Sequence, residues 1–341
     1  MEYRPIGNTG VMVSPLCLGA MMFGAWGNPD HEDSVRIIHR ALDAGINFID
    51  TADVYSAGES EEIVGKALRD RRDQVVVATK FFAPMGKDPN MHGGSRRWIF
   101  QEVENSLRRL GTDYIDLYQV HRPDPNLDPD ETLGALSDLV HQGKIRYLGS
   151  STFPAEAIVE AQWVSQLRGR ERYVCEQPPY SILAREIERA VLPTCQRFDM
   201  GVIVWSPLAG GWLSGKFRRD GGDVTSHRAT RVPDRFDQTL PGNQAKLDAI
   251  DGLVKIAADA GVSLVDLAMA FALEHPAVTA AIIGPRTAEQ MNDLLECADT
   301  RLEPDVLDRI DAVVAPGTTL NVADAGYIPH GLHAHNRRRP R

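Results

Sequence analysis

Most of the eight apolar runs in this chain end, at their C-terminal tips, in residues that a buried core does not favour. INFIDTADVY leads to Asp50 and Tyr55, VVVATK ends on Lys80, YIDLYQVH on His121, and IRYLGSST on Ser150, Ser151 and Thr152. YVCEQ ends on Gln177, VIVWS on Trp205 and Ser206, and TAAIIGPR on Gly284 and Arg286. Apolar strands that alternate with helical segments predict a parallel sheet covered by helices. Eight such repeats predict closure into a barrel, whose chemistry sits at the C-terminal face of the strands.

The segments between these runs carry the helical period. Val35, Ile38, Ala41 and Leu42 share one face of a helix expected over 31–44. Further helices are expected over 59–68, 95–110, 129–141, 154–167, 186–198 and 287–297, with Ser60 as an N-cap and Pro154 in a first turn. RPIG and VMVSPL flank Asn8-Thr9-Gly10 and predict an N-terminal hairpin. Residues 208–242 are rich in Gly, Arg and Asp and predict a long binding loop after the seventh strand. Helices over 243–260, 263–274 and 304–314 complete the expectation. It is an α/β fold, a (β/α)8 TIM barrel with an N-terminal β-hairpin, a long loop and extra helices, over residues 1–316. The tail, 317–341, lacks periodicity; its final RRRPR is expected to be disordered, while the part up to Tyr327 can fold back over the barrel mouth.

Composition narrows the function. A formal net charge of −10 argues against nucleic acid or an anionic membrane as a partner. No run approaches the roughly 18 apolar residues of a membrane helix. The opening MEYRPIGNTG lacks the basic-then-apolar order of a signal peptide. Cys17, Cys175, Cys195 and Cys297 stand far apart in apolar or helical stretches, so buried free thiols and a cytoplasmic location are expected. His333 and His335 are close in sequence but have no carboxylate-rich partner segment, and no metal site is expected. Oligomer formation is left open.

Asp50, Tyr55, Lys80 and His121 each have an ordinary structural explanation when taken alone: a strand-end ion pair, a snorkelling lysine, a satisfied histidine. Their convergence on adjacent barrel strands suits proton donation to a carbonyl. A phenol titrates at about 10, and a neighbouring ammonium favours its phenolate. Lys80 provides the ammonium, Asp50 holds it charged, and a neutral His121 orients the substrate oxygen. No serine sits in a G-x-S-x-G elbow, so a cofactor hydride is the natural partner. GxGxxG is absent after any strand, yet Gly210 to Lys216 offers backbone amides and a cation to a pyrophosphate. Gly284-Pro285-Arg286-Thr287 opens a helix and suits a phosphate monoester, and Trp205 can stack on a flat ring. Lys80 as a Schiff-base nucleophile is a further reading, which the adjacent Asp50 disfavours because it keeps the amine protonated.

GINFIDTADVYSAGESEEIVGKAL, followed in order by KF, QVH, GSST, EQPPYS and VWSPLAGGWLSGKF, resembles the aldo-keto reductases over roughly residues 1–315. Trp205 within WSPLAGG and the late GPRTAEQMND resemble the branch with bacterial reductases and potassium-channel β-subunits. The resemblance implies reversible, NADPH/NADP+-dependent reduction of a small-molecule carbonyl substrate; a cofactor-sensing module of the channel type is the alternative. By position it implies Tyr55 as acid, tuned by Lys80 and Asp50, with His121 orienting the carbonyl. Ser151, Thr152 and Gln177 fall at the nicotinamide amide and Trp205 on its ring. Ser206, Leu208, Gly210 and Lys216 face the pyrophosphate, with Arg228 closing over it. Gly284, Arg286, Gln290 and Asp293 surround the adenosine 2′-phosphate and adenine. Met22, Phe23, Trp26 and Phe82 are expected to line the substrate pocket. Thr152 replaces the Asn or Arg of many members, Leu294 replaces an Asn, and the tail after Pro316 matches no known substrate loop.

Overall fold

The computed structural model describes residues 1–219, 227–329, 332–333 and 336, without the side chains of His227 and Arg228. Parts of two expected segments therefore lie outside the described residues: 220–226 of the long loop and, in the tail, His335 and the final RRRPR. A two-stranded antiparallel hairpin, β1 (Arg4–Pro5) and β2 (Met12–Val13), precedes the barrel. Eight parallel strands then close on themselves: β3 (Leu16–Gly19), β4 (Phe48–Asp50), β5 (Val76–Phe81), β6 (Ile115–Val120), β7 (Ile145–Ser151), β8 (Tyr173–Gln177), β9 (Gly201–Val204) and β10 (Ala280–Ile283). β10 pairs with both β3 and β9, which completes the ring.

The strands are apolar on both faces for two reasons. Inward-facing Cys17, Phe48, Ala78, Leu117, Cys175, Ile203 and Ala280 fill the barrel interior, and the hairpin plugs it with Ile6 and Val13. Outward-facing residues such as Leu18, Ile49, Val77, Tyr118 and Leu148 pack beneath the helices. Each large side chain buried this way contributes about 1.5–3 kcal/mol. The four cysteines are free and buried.

The helices are α1 (His31–Asp43), α2 (Glu59–Leu68), α3 (Arg96–Leu110), α4 (Pro129–His141), α5 (Ala155–Arg168) and α6 (Val191–Arg197). After β9 come α7 (His227–Arg231), α8 (Pro241–Asp259) and α9 (Leu264–Glu274); α10 (Ala288–Glu296) and α11 (Pro304–Val313) follow β10. Their ends obey local chemistry. Asp30 caps α1, and Ser263 with Asp266 forms a capping box on α9. Gly111 and Gly169 end α3 and α5 in the left-handed conformation.

Three expectations shift. Ser60 is not an N-cap; Gly58 holds that position, and the Ser60 hydroxyl instead donates to Ala20 O at 2.8 Å. Pro154 takes the N-cap position of α5, one residue before its first turn. The helix expected over 186–198 is divided into a 3-10 turn, Glu186–Arg189, and α6, because Ala190 leaves helical geometry at φ −141°.

The tail folds back onto the barrel mouth. Thr319 bridges to Ala184, and Leu320 N donates to Leu183 O at 3.1 Å. Asp324 is buried between Arg235, 2.6 Å away, and Lys246. Among the described residues no single helix is long and apolar enough to cross a membrane.

Helix α2 lies tightly against the C-terminal end of α3 at Gly65. A Cβ there would meet the Leu110 carbonyl oxygen at 2.6 Å and its carbon at 2.7 Å, both backbone atoms that cannot swing aside. Gly65→Ala is expected to destabilise the fold by about 1–3 kcal/mol through overpacking, despite alanine's better helix propensity. Urea denaturation checks this; an unchanged or raised midpoint would contradict the close approach.

Candidate active site

The strand tips bring Asp50, Lys80, His121 and Gln177 to one end of the barrel, and the turn after β4 adds Tyr55. Lys80, fully buried, donates to Asp50 Oδ2 at 2.6 Å, to Thr51 O at 2.8 Å and to Tyr55 Oη at 3.3 Å. All three ammonium protons therefore have acceptors. Burial alone would lower the Lys80 ammonium, but the charge of Asp50 and then the Tyr55 oxygen outweigh it and the net shift is upward. Lys80 stays protonated.

Asp50 is 2% exposed. Its second oxygen accepts from Gln177 Nε2 at 2.7 Å and Gln119 Nε2 at 3.2 Å. Four strands thus hold one ion pair: β4 gives Asp50, β5 Lys80, β6 Gln119 and β8 Gln177. Gln177 is committed through its amide nitrogen to this network. The His121 ring stands edge-on to Tyr55, centroids 5.8 Å apart. Burial, then the Lys80 and Arg122 charges, push its imidazole well below the ordinary histidine range, so it is neutral at neutral pH. A neutral imidazole can donate a hydrogen bond without competing for the proton.

Tyr55 is presented on a strained turn. Ser56 and Ala57 adopt positive φ of 50° and 57°, conformations that non-glycine residues hold only when their surroundings enforce them. Val54 N donates to Asp53 Oδ1 at 2.6 Å, and Asp53 N to Lys80 O at 3.1 Å, which fixes the turn to β5. Across the mouth, Trp26 N donates to Ser56 Oγ at 3.1 Å, and the Trp26 ring lies 5.9 Å from the Tyr55 ring. Phe82, Thr152, Ser206 and Ala209 also have positive φ, so strain gathers around the strand tips.

Of the expected substrate-lining residues, Trp26 and Phe82 are half-buried at the mouth, whereas Met22 and Phe23 are 5% and 0% exposed. Phe23 packs in the hydrophobic core beneath the site.

The remaining expected residues lie along the elements from β7 round to β10. Ser151 Oγ donates to Gln177 O at 2.9 Å, and Thr152 Oγ1 accepts from Arg122 at 3.0 Å. Trp205 is half-buried, with the Arg235 guanidinium 5.7 Å from its centroid and the Gly326 backbone against its edge. Beyond it, Ser206, half-buried Leu208 and Gly210 lead through backbone turns with positive φ at Gly210, Gly211 and Gly215 to exposed Lys216. Gly211 and Gly215 face open space. Arg228 lies in α7, its side chain outside the described residues. Gly284 is exposed at the end of β10, and Thr287 caps α10. Arg286 N donates to Gln290 Oε1 at 2.9 Å, which braces the helix entrance, and Asp293 is exposed on that helix. Turns of this shape offer backbone amides to an anionic ligand, with Lys216 and Arg286 as nearby cations in the sequence.

Several residues here were not singled out from sequence. Gln119 on β6 reaches the network through Asp50, whereas Glu176 on β8 binds Ser150 and Phe153 N instead. Glu176 is fully buried; desolvation raises its carboxyl to about 7, although Ser150 and the Phe153 and Thr152 amides bind it. Arg122 directly follows His121, and that adjacency was the available signal.

Comparisons with known proteins converge with this geometry. Residues 15–315 match the model of the Aldo/keto reductase family. The chain is 39% identical to an uncharacterized oxidoreductase of Bacillus subtilis, YrpG, covering 93% of this chain and 97% of the relative. It is 37% identical to the aldo-keto reductase YhdN of the same bacterium, over 87% and 88% of the two chains. A probable voltage-gated potassium channel subunit beta from rice, Oryza sativa subsp. japonica, is 35% identical over 92% and 97%. A closed eight-stranded barrel with this mouth and matches of this length leave one assignment: the chain belongs to the aldo/keto reductase family of oxidoreductases.

Proposed function

We propose that the protein reduces an aldehyde or ketone to an alcohol, reversibly, with NADPH as reductant and Tyr55 as general acid. The observation that carries this is a single buried ammonium, Lys80, bonded both to Asp50 at 2.6 Å and to the Tyr55 hydroxyl at 3.3 Å. Bound NADPH supplies the hydride equivalent that the carbonyl carbon accepts. Trp205 would carry its nicotinamide ring, Ser151, Thr152 and Gln177 its amide, and the run from Ser206 to Lys216 with Arg228 its diphosphate. Gly284, Arg286, Gln290 and Asp293 would surround the adenosine end.

The chain's own residues handle the proton. His121, neutral, donates a hydrogen bond to the carbonyl oxygen and fixes its direction toward Tyr55. Tyr55 gives that oxygen its proton as charge builds there. The phenolate left behind faces the Lys80 ammonium, which Asp50 keeps charged and in place, until solvent restores the proton. Electrostatic groups already aligned in this way need no reorganisation during the reaction.

Tyr55→Phe keeps the ring and removes the acid. Its turnover of a panel aldehyde is expected to fall by about 10²–10⁴-fold, while the NADPH Kd read by fluorescence changes little. Retained turnover would rule out the acid role.

Arg286 bears the preference for the extra phosphate. Arg286→Ala is expected to narrow the ratio of NADPH to NADH kcat/KM by roughly ten- to hundredfold, the worth of a charged hydrogen bond. An unchanged ratio would overturn this assignment.

A second reading, an NADPH-binding regulatory module, is favoured by the 35% identity to the rice channel subunit. Single-turnover mixing of NADPH-loaded protein with a panel of aldehydes separates the two. Oxidation of the bound nucleotide is expected; none with any aldehyde would favour the regulatory reading.

A further inference from the structure

Resting on the reductase reading, we infer that the substrate pocket selects carbonyl compounds bearing a carboxylate, held by Arg122 and Arg231 on either side of Tyr55. Both guanidinium groups border the catalytic tyrosine. Arg122 follows His121 at the tip of β6, and the His121 ring is 5.8 Å from the Tyr55 ring. Arg231 ends α7 and stacks on Trp26 at 3.5 Å from its centroid, while Trp26 lies 5.9 Å from Tyr55. The contacts run from Arg231 through Trp26 to Tyr55 and from Tyr55 to His121, which Arg122 follows in the chain.

Among the described residues neither arginine has a carboxylate partner. Arg122 Nη1 donates to two neutral oxygens, His121 O at 2.7 Å and Thr152 Oγ1 at 3.0 Å. The nearby carboxylate, Glu176, is taken by the Ser150 hydroxyl and by Phe153 N at 3.0 Å. The buried cations at this face are matched: Lys80 by Asp50, and Lys246, with half-buried Arg235, by Asp324. Desolvation lowers both Arg122 and Arg231 from the usual arginine range, against the opposing charge of Tyr55 on both and of Glu176 on Arg122; Arg122 is half-buried and Arg231 is exposed. In a chain of net charge −10, with acidic residues in excess, these two arginines beside the reacting hydroxyl make no salt bridge among the described residues. Guanidinium groups recognise carboxylates through paired N–H donors. The half-buried Trp26 ring beside Tyr55 offers a flat apolar surface to a spacer between carboxylate and carbonyl.

The test compares the ortho, meta and para formylbenzoates with their neutral methyl esters in NADPH-loaded protein. Wild type is expected to reduce at least one formylbenzoate with a kcat/KM about tenfold or more above its ester, since a charged hydrogen bond discriminates by that factor or more. Arg231→Gln should lose that preference, mainly through KM, and leave the ester kinetics and the NADPH Kd within about twofold; Arg122→Gln, which also removes the contact to Thr152, should lower the acid kcat/KM about tenfold more than the ester kcat/KM. Arg122→Lys should restore part of the preference. Equal kcat/KM for every acid and ester in wild type overturns the inference and leaves the reductase reading intact. Equal losses on acid and ester in both variants, or a raised NADPH Kd in Arg231→Gln, assign the arginines to the cofactor and also overturn it. Turnover of no aldehyde by protein that binds NADPH overturns the reductase reading, and this inference with it.

Discussion

The buried ion pair of Lys80 and Asp50 is the constraint around which the mouth of this barrel is arranged. Taking an ammonium and a carboxylate out of water costs several kcal/mol per ion, and their attraction offsets that only when every remaining donor and acceptor is satisfied. Here Lys80 has three acceptors, and Asp50 receives the amides of Gln119 and Gln177 besides the ammonium. One of the three acceptors is the Tyr55 hydroxyl. The same hydrogen bond that completes the solvation of a buried cation therefore places positive charge beside a phenol. Stability and chemistry rest on the same atoms.

Around that pair the backbone is forced into conformations it would otherwise avoid. The Tyr55 turn, Phe82, Thr152, Ser206 and Ala209 all hold positive φ without being glycine, and all lie in the segments that follow strands, whereas Asp199 does so before β9. A closed barrel can impose such geometry because each strand is hydrogen-bonded on both sides. The tail adds a further restraint: Asp324 ties it to Arg235 and Lys246, and Gly326 lies close to Trp205, where a Cβ would come within 2.6 Å of the ring. The mouth is thus built by elements from the whole length of the chain.

How much of this was legible in the sequence follows from the range of the interactions. A strand period places side chains on a face, so Asp50, Lys80 and His121 could be read at the tips from spacing, and the Tyr55 turn from its place beside Asp50. Ser60 misled because a serine near a helix start usually caps it; here Thr51 and Ala20, from neighbouring elements, claim its hydroxyl. The break at Ala190 and the clasp of Asp324 on Arg235, 89 residues away, are tertiary and leave no periodic trace. Burial of Phe23 was equally invisible, since an aromatic residue in a loop reads the same whether it lines a pocket or fills the core. Arg122 was written beside His121, but its lack of a salt bridge among the described residues is tertiary and could not be read there.

The central claim is that Lys80 acts through Tyr55 and not independently of it. A double-mutant cycle with Lys80→Met and Tyr55→Phe, read as the single-turnover rate of aldehyde reduction in NADPH-saturated protein, tests that coupling most directly. The account predicts strong non-additivity: the lysine substitution slows wild type by about 10²-fold or more and changes the Tyr55→Phe background little. Losses that simply multiply would contradict it.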